Sequence, residues 1–251
     1  MKLHRFIGNF NLNEGSIEIK DSNLTNQIIK VLRLKGGDKF ILSNGQLNEA
    51  QVQITRISKN SIVAEIIKKY KNQNEPKRKV TLYCAILKRE NFELVAQKAT
   101  EVGISEIVPV ITERTIKTGL NIERLQKIIK EAAEQSGRGI VPALHEPIDF
   151  KEAVKNRKQN DCNFLFHPNE ALLFGMPCER DGANTSKFSA ENYACIPGSK
   201  AEVGLFIGPE GGFSEAEIKL ARENNLKIAS LGKLTLRAET ATIVVSYLAT
   251  Q

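Results

Sequence analysis

GLFIGPEGGFSEAE, residues 204–217, passes from strand to loop to helix. The apolar run before Gly208 reads as a buried strand. Pro209-Glu210-Gly211-Gly212 is turn chemistry, and Ser214 with Glu217 spells a capping box that opens a helix. Glycines after a strand let backbone approach a ligand closely, at the C-terminal sheet edge where open α/β folds bind. Two common explanations of such a loop fail. There is no GxxxxGK[ST], so it is not a Walker A loop, and no GxGxxG follows the first strand of the α/β region, so a dinucleotide site is unsupported. A bare strand-to-helix turn would use the same glycines, so the loop alone leaves ligand binding open.

Neighbouring segments repeat the pattern. In SLGKLTLRAETA, residues 230–241, a strand ends at Gly232 and a helix begins near Arg237 and Glu239. Glu239 suits the positive end of a helix dipole, and Arg237 suits a surface or an anion site. In EAAEQSGRGIVP, residues 131–142, a helix ends near Gly137 and Arg138 follows on a loop, free to hold phosphate or carboxylate or to face solvent. KATEVGISEIVPVITERT, residues 98–115, reads as mainly structural, with Glu101 its one candidate for a polar group in a cleft.

From residue 80 onward, strands VTLYCAIL, EIVPVI, CNFLFH, EVGLFIG and KIASLG alternate with helices ENFELVAQKATEVG, NIERLQKIIKEAAEQSG, SEAEIKLARENN and AETATIVVSYLATQ. That rhythm implies an α/β fold with a parallel sheet covered on both faces. Gly103 is placed to end the first of these helices. Residues 168–200 fit no period and read as a long, mostly irregular insertion. The front of the chain differs. SIEIK, DKFILSN, EAQVQITRIS and NSIVAEIIKKY are short strands punctuated by Gly36-Gly37-Asp38, Asn44-Gly45 and Lys59-Asn60, with a helical stretch around Thr25–Leu34. They suggest a small β-barrel over residues 1–70, a polar linker at 71–79 and the α/β domain at 80–251.

Charge follows the same division. The net charge is +7, but residues 1–79 carry +8 and the remainder −1. A basic excess confined to one end points to a polyanion met by that end. No apolar run approaches the ~20 residues of a membrane helix. MKLHRFIGNF lacks a secretory h-region, so a cytoplasmic location is expected. Four cysteines (Cys84, Cys162, Cys178, Cys195) form no CxxC pair, and His4, His145 and His167 are scattered, so no metal site is expected.

Taken in order, MKLHRF, VLRLKGGDKF, KATEVGISEIVPVITERT, EQSGR, GPEGGFS and LGKLTLRAETA resemble the bacterial 16S ribosomal RNA uridine N3-methyltransferases of the SPOUT class. The resemblance covers nearly the whole chain and is weakest over 168–200. It implies a PUA-like barrel before a SPOUT domain whose deep trefoil knot lies near 203–251. It implies S-adenosylmethionine as cofactor, bound by Gly208, Pro209, Glu210, Gly211, Gly212, Leu231, Gly232 and Leu236 with His167 at the border, and a homodimer packed through the knots. The product implied is N3-methyluridine in 16S ribosomal RNA, on the assembled small subunit. Arg237 is then the first candidate to stabilise the uridine anion, Arg138 the second, and Glu239 the candidate proton acceptor. Arg5, Lys30, Arg33 and Lys35 are the candidate RNA-binding cations, working chiefly on phosphates. The chain departs from the family at Asn26 and Gln27, where histidines are frequent, and at Leu234, where another arginine is usual and Lys233 stands alongside. The competing readings are a SPOUT enzyme with another RNA target, a non-catalytic RNA-binding factor, and a phosphate-ester enzyme, which the missing lysine and acidic cluster disfavour.

Overall fold

Period-two alternation in the first third builds a sheet with one apolar face. The computed structural model describes residues 3–116, 118–157, 160–168, 173–177, 193–196 and 201–251. β1 (Arg5–Ile7), β2 (Ser16–Ile19), β3 (Lys39–Ser43), β4 (Asn48–Ile57) and β5 (Ile62–Lys71) pair in the order β1-β3-β4-β5-β2. All pairs are antiparallel except β1 with β3. Phe6, Phe40, Leu42, Val52, Ile54 and Ile62 fill its core, joined by Ile28 from the connection between β2 and β3. That connection is a short helix, α1 (Ser22–Asn26), capped by Asp21, followed by a π-turn over Gln27–Val31.

The second sheet is parallel. β6 (Lys79–Ala85), β7 (Glu106–Ile111), β8 (Ala143–Leu144), β9 (Ile148–Asp149), β10 (Cys162–Phe166), β13 (Glu202–Ile207) and β14 (Lys227–Ala229) run in the order β14-β10-β13-β6-β7-β8, with β9 also on β7. β6, β10 and β13 are buried along nearly their whole length, as β-branched and aromatic runs require when helices cover both faces. α2 (Arg89–Val102) and α6 (Ala238–Thr250) pack together on one side, while α4 (Phe150–Asn156) and α5 (Glu215–Glu223) pack together on the other. Tyr83 and Phe206 stack at 4.3 Å in the core beneath α4 and α5. Gly103 ends α2 in the left-handed conformation (φ 105°), and a Cβ there would lie 2.3 Å from Pro76. In the stretch read as an irregular insertion, β11 (Leu173–Pro177) and β12 (Tyr193–Ile196) form a parallel pair, while 178–192 and 197–200 lie outside the described residues.

The chain divides into two units, Met1–Glu75 with Ala133–Val141, and Pro76–Ala132 with Pro142–Gln251. The sequence assigned 133–141 to the α/β domain, as the end of α3 (Ile122–Ser136) and its loop. Polar contacts without periodicity put it in the first unit instead. The Ile7 N–H donates to Glu134 at 2.8 Å, and Asn72 and Asn74 both donate to the Gly137 carbonyl.

Cys84 lies fully buried on β6, 3.9 Å from the Thr242 hydroxyl, and burial pushes its thiol up to about 12. The thiolate is the nucleophile. We therefore expect Cys84 to resist iodoacetamide at pH 8 in the native protein and to label fully in urea, read by peptide mass spectrometry. Because the folded pKa is the raised one, this thiol's contribution to stability is complete below its unfolded value near ~8.5 and declines as pH rises above it.

Candidate functional site

Register brings three loops together. Phe166 of β10 is level with Ile207 of β13 and with Ala229 of β14, so three neighbouring parallel strands end side by side. The segments that leave them (His167–Pro168, Gly208–Gly212 and Ser230–Leu236) surround a cavity of about 520 Å³, within the ~300–1,000 Å³ typical of small-molecule sites. The first turn of α6 contributes Ala238, Glu239 and Ala241 to the lining, and the start of α2 contributes Lys88 and Asn91.

Each wall has a local cause. Gly208 is buried, and a Cβ there would come within 3.1 Å of the Phe213 ring and 3.3 Å of the Gly212 backbone. Gly212 (φ +69°) and Gly232 (φ +121°) occupy conformations that side chains disfavour. Ser214 and Glu217 form the expected capping box, with the Ser214 N–H donating to Glu217 at 2.8 Å. The buried Glu217 carboxylate also accepts the Glu113 N–H at 2.9 Å, and Arg114 donates to the Gly211 carbonyl at 2.6 Å. The loop after β7 therefore grips the glycine loop from outside. Beyond Ser230, whose carbonyl accepts the Phe174 N–H at 3.0 Å, the Phe174 ring packs edge-on against Phe164 and Phe166. Arg237 is the N-cap of α6 and makes no side-chain cap, so its guanidinium is not spent on the helix end.

His167, Gly208, Pro209, Glu210, Gly212, Leu231, Gly232, Leu236, Arg237 and Glu239 all line the cavity. Gly211 does not appear in the lining; its carbonyl is taken by Arg114. The sequence missed Lys88 and Asn91, which stand at the start of α2 after β6. Their signal was available, since a strand-to-helix junction on a parallel sheet marks the same edge. Glu101 pairs with Lys98 on α2 and is not in the lining.

Two candidates are corrected. Arg138 is buried and ion-paired to Glu75 at 2.7 Å, while the same carboxylate accepts the Gly139 and Ile140 N–H groups. It belongs to the first unit and locks the 137–140 loop there. Replacing Arg138 with methionine strands a mostly buried carboxylate, so we expect a loss of about 2–3 kcal/mol in urea unfolding. Turnover by the folded variant should persist; lost turnover at unchanged stability would restore a chemical role. Arg5 is the second correction. It forms a two-pronged pair with Glu49 (3.0 and 3.2 Å), with its side chain 10% exposed and that of Glu49 fully buried. It organises a cluster with Asn72 and is not a surface cation. Lys30, Arg33 and Lys35 are exposed.

Among the described residues no cluster of His, Cys, Asp and Glu could hold a metal, and no helix is long and apolar enough to cross a membrane. The RNA methyltransferase domain profile matches residues 73–250, and the RNA methyltransferase PUA domain profile matches 28–67. The chain is 35% identical over 227 residues to the ribosomal RNA small subunit methyltransferase E of Mesomycoplasma hyopneumoniae, covering 88% of this chain and 89% of the relative. It is 33% identical over 245 residues to the Rickettsia conorii protein of that name, covering 97% and 93%. Among solved structures, the Neisseria gonorrhoeae ribosomal RNA small subunit methyltransferase E bound to S-adenosylmethionine is 27% identical, with a TM-score of 0.81 over 98% of this chain and 95% of that one. A Legionella pneumophila methyltransferase structure with bound S-adenosylmethionine gives 28% identity and a TM-score of 0.83, covering 99% and 97%. With a PUA match in front and the strand-end cavity inside the matched domain, the chain belongs to the RNA methyltransferase family of the ribosomal RNA small subunit methyltransferase E proteins.

Proposed function

We propose that the protein methylates N3 of a uridine in 16S ribosomal RNA with S-adenosylmethionine, in the cytoplasm, on the assembled small subunit. The observation that carries this is the cavity at the level ends of β10, β13 and β14, walled by the glycine loop and opened by Arg237 and Glu239. The residues fit the cofactor. The tight space at Gly208 and the positive φ of Gly212 and Gly232 leave backbone, not side chain, at the wall, which suits recognition of an adenine edge by main-chain groups. Leu231, Leu236 and Ile207 supply apolar surface. When bound, S-adenosylmethionine supplies a methyl group on a sulfonium that departs as a neutral thioether.

The chain's own residues have a different task. Uridine N3 carries a proton and a delocalised lone pair, so it must lose the proton to become a nucleophile. Glu239 is the acceptor for that proton, and Arg237 stabilises the negative charge that then spreads to O2 and O4. Positioning supplies most of the remaining rate. A homodimer packed through a trefoil knot near 203–251 is part of the same reading.

The test is methyl transfer from labelled S-adenosylmethionine to small subunits from cells lacking this enzyme, followed by nucleoside analysis. Label in N3-methyluridine is the expected result. Label in another nucleoside would keep the cofactor and overturn the target; cofactor binding without label would overturn the substrate.

A further inference from the structure

A loop that meets its ligand through backbone must hold that backbone still. The Pro209–Gly212 turn has one bond of its own, from the Gly212 N–H to the Pro209 carbonyl at 2.8 Å. Glycine loses more conformational freedom on ordering than any other residue. An unsupported Gly211-Gly212 pair would meet that cost each time a ligand bound.

Support comes from a strand that is not the loop's neighbour. In the order β13-β6-β7, the segment after β7 must cross the end of β6 to reach the glycine loop. That segment is itself closed. The Thr112 N–H donates to Thr115 Oγ1 at 2.9 Å, the Thr115 N–H donates to the Thr112 carbonyl at 3.0 Å, and the two hydroxyls lie 2.9 Å apart. From this platform the Glu113 N–H reaches Glu217 and fixes the helix end of the loop. Arg114 fixes the tip. Its guanidinium donates to the Gly211 carbonyl at 2.6 Å, and its stem lies along the same residue, where a Cβ would stand 3.4 Å from Arg114 Cδ. Among the described residues Arg114 has no ion pair, so this bond is the one task its charge performs. The other polar contact at the tip is weak: the Lys88 N–H comes only within 3.5 Å of Glu210, at the limit of a hydrogen bond.

We infer that Arg114 is a positioning residue for the cofactor loop, holding the Gly211 peptide in its binding form before S-adenosylmethionine arrives. The inference rests on the S-adenosylmethionine site proposed above. Arg114 is outside the cavity lining and acts through Gly211. Such preorganisation raises cofactor affinity and leaves the chemical step alone, because bound cofactor orders the loop in any case.

The experiment compares the full-length protein with Arg114→Met, which keeps a stem and loses every donor, and Arg114→Lys, which keeps a stem and one donor. S-adenosylmethionine binding is measured by calorimetry, a readout that does not depend on which RNA is methylated. Arg114→Met should weaken it about fivefold to 20-fold. The KM for S-adenosylmethionine in methyl transfer to small subunits should rise by the same factor, with kcat at saturating cofactor within about twofold of the wild type. Arg114 is exposed, so melting of the cofactor-free protein should not change. Arg114→Lys should bring affinity back to within about threefold, since a single bond needs no guanidinium fork. Wild-type affinity in Arg114→Met would end the proposal. So would a lysine variant as weak as the methionine one, because a donor on the stem would then not be the tie. A lower melting temperature without cofactor would make Arg114 a residue of the fold, and a fall in kcat at saturation would place it in the chemistry; either result overturns the positioning role. A wild-type protein that fails to bind S-adenosylmethionine would instead overturn the cofactor site itself.

Discussion

Arg237→Ala should lower turnover roughly 100- to 1,000-fold, the usual consequence of removing one preorganised donor from a developing oxyanion. S-adenosylmethionine affinity should stay within about threefold, because an interaction made only in the transition state leaves ground-state binding alone. The structure gives reasons to expect that separation. The guanidinium stands at the cavity edge, is exposed, and does not cap α6. The helix loses no bond when the side chain is cut back, so folding should not confuse the result. Isothermal titration with the cofactor and single-turnover methyl transfer on small subunits would measure the two quantities. A variant that keeps full turnover would remove Arg237 from the chemistry and leave Lys88 as another cation in the lining.

Gly232→Ala should weaken cofactor binding about 10- to 100-fold. The cause is conformational. No heavy atom lies within 4 Å of where a Cβ would stand, so the alanine methyl meets no obstacle. The backbone, however, holds φ +121°, where any residue with a Cβ is strained at a cost of about 1–3 kcal/mol. The loop relieves that strain by leaving its wall position between Leu231 and Leu236. Calorimetry on the variant would check it. An alanine variant that binds S-adenosylmethionine like the wild type would show that the loop holds its wall position despite a Cβ at this φ, and would remove the conformational cause.

Much of this was visible in the residues. The parallel sheet followed from the strand–helix alternation after residue 80, and the glycine loop announced itself because strand, turn and capping box sit next to one another in sequence. All the cues that worked were local. Arg138 and Arg5 show where locality ends. Both are arginines near loops or strand starts, and in sequence both pass for surface cations. Their burial depends on Glu75 and Glu49, carboxylates 63 and 44 positions away. Lys88 and Asn91 were missed for the same reason, since their membership of the cavity is decided by strand order and not by their neighbours in the chain. β1, β8 and β9 are two or three residues long, too short for any period to register.

The strands whose ends frame the cavity come from residues 162–166, 202–207 and 227–229, and a fourth wall begins only at Ala238. α6 is in turn tied down by Arg78, which donates to the Ala249 carbonyl, and by the Thr250 hydroxyl, which donates to Val102. The barrel strands and most of the sheet precede this helix in the chain, so a fragment cut just before Ala238 keeps the sheet and loses one wall of the pocket.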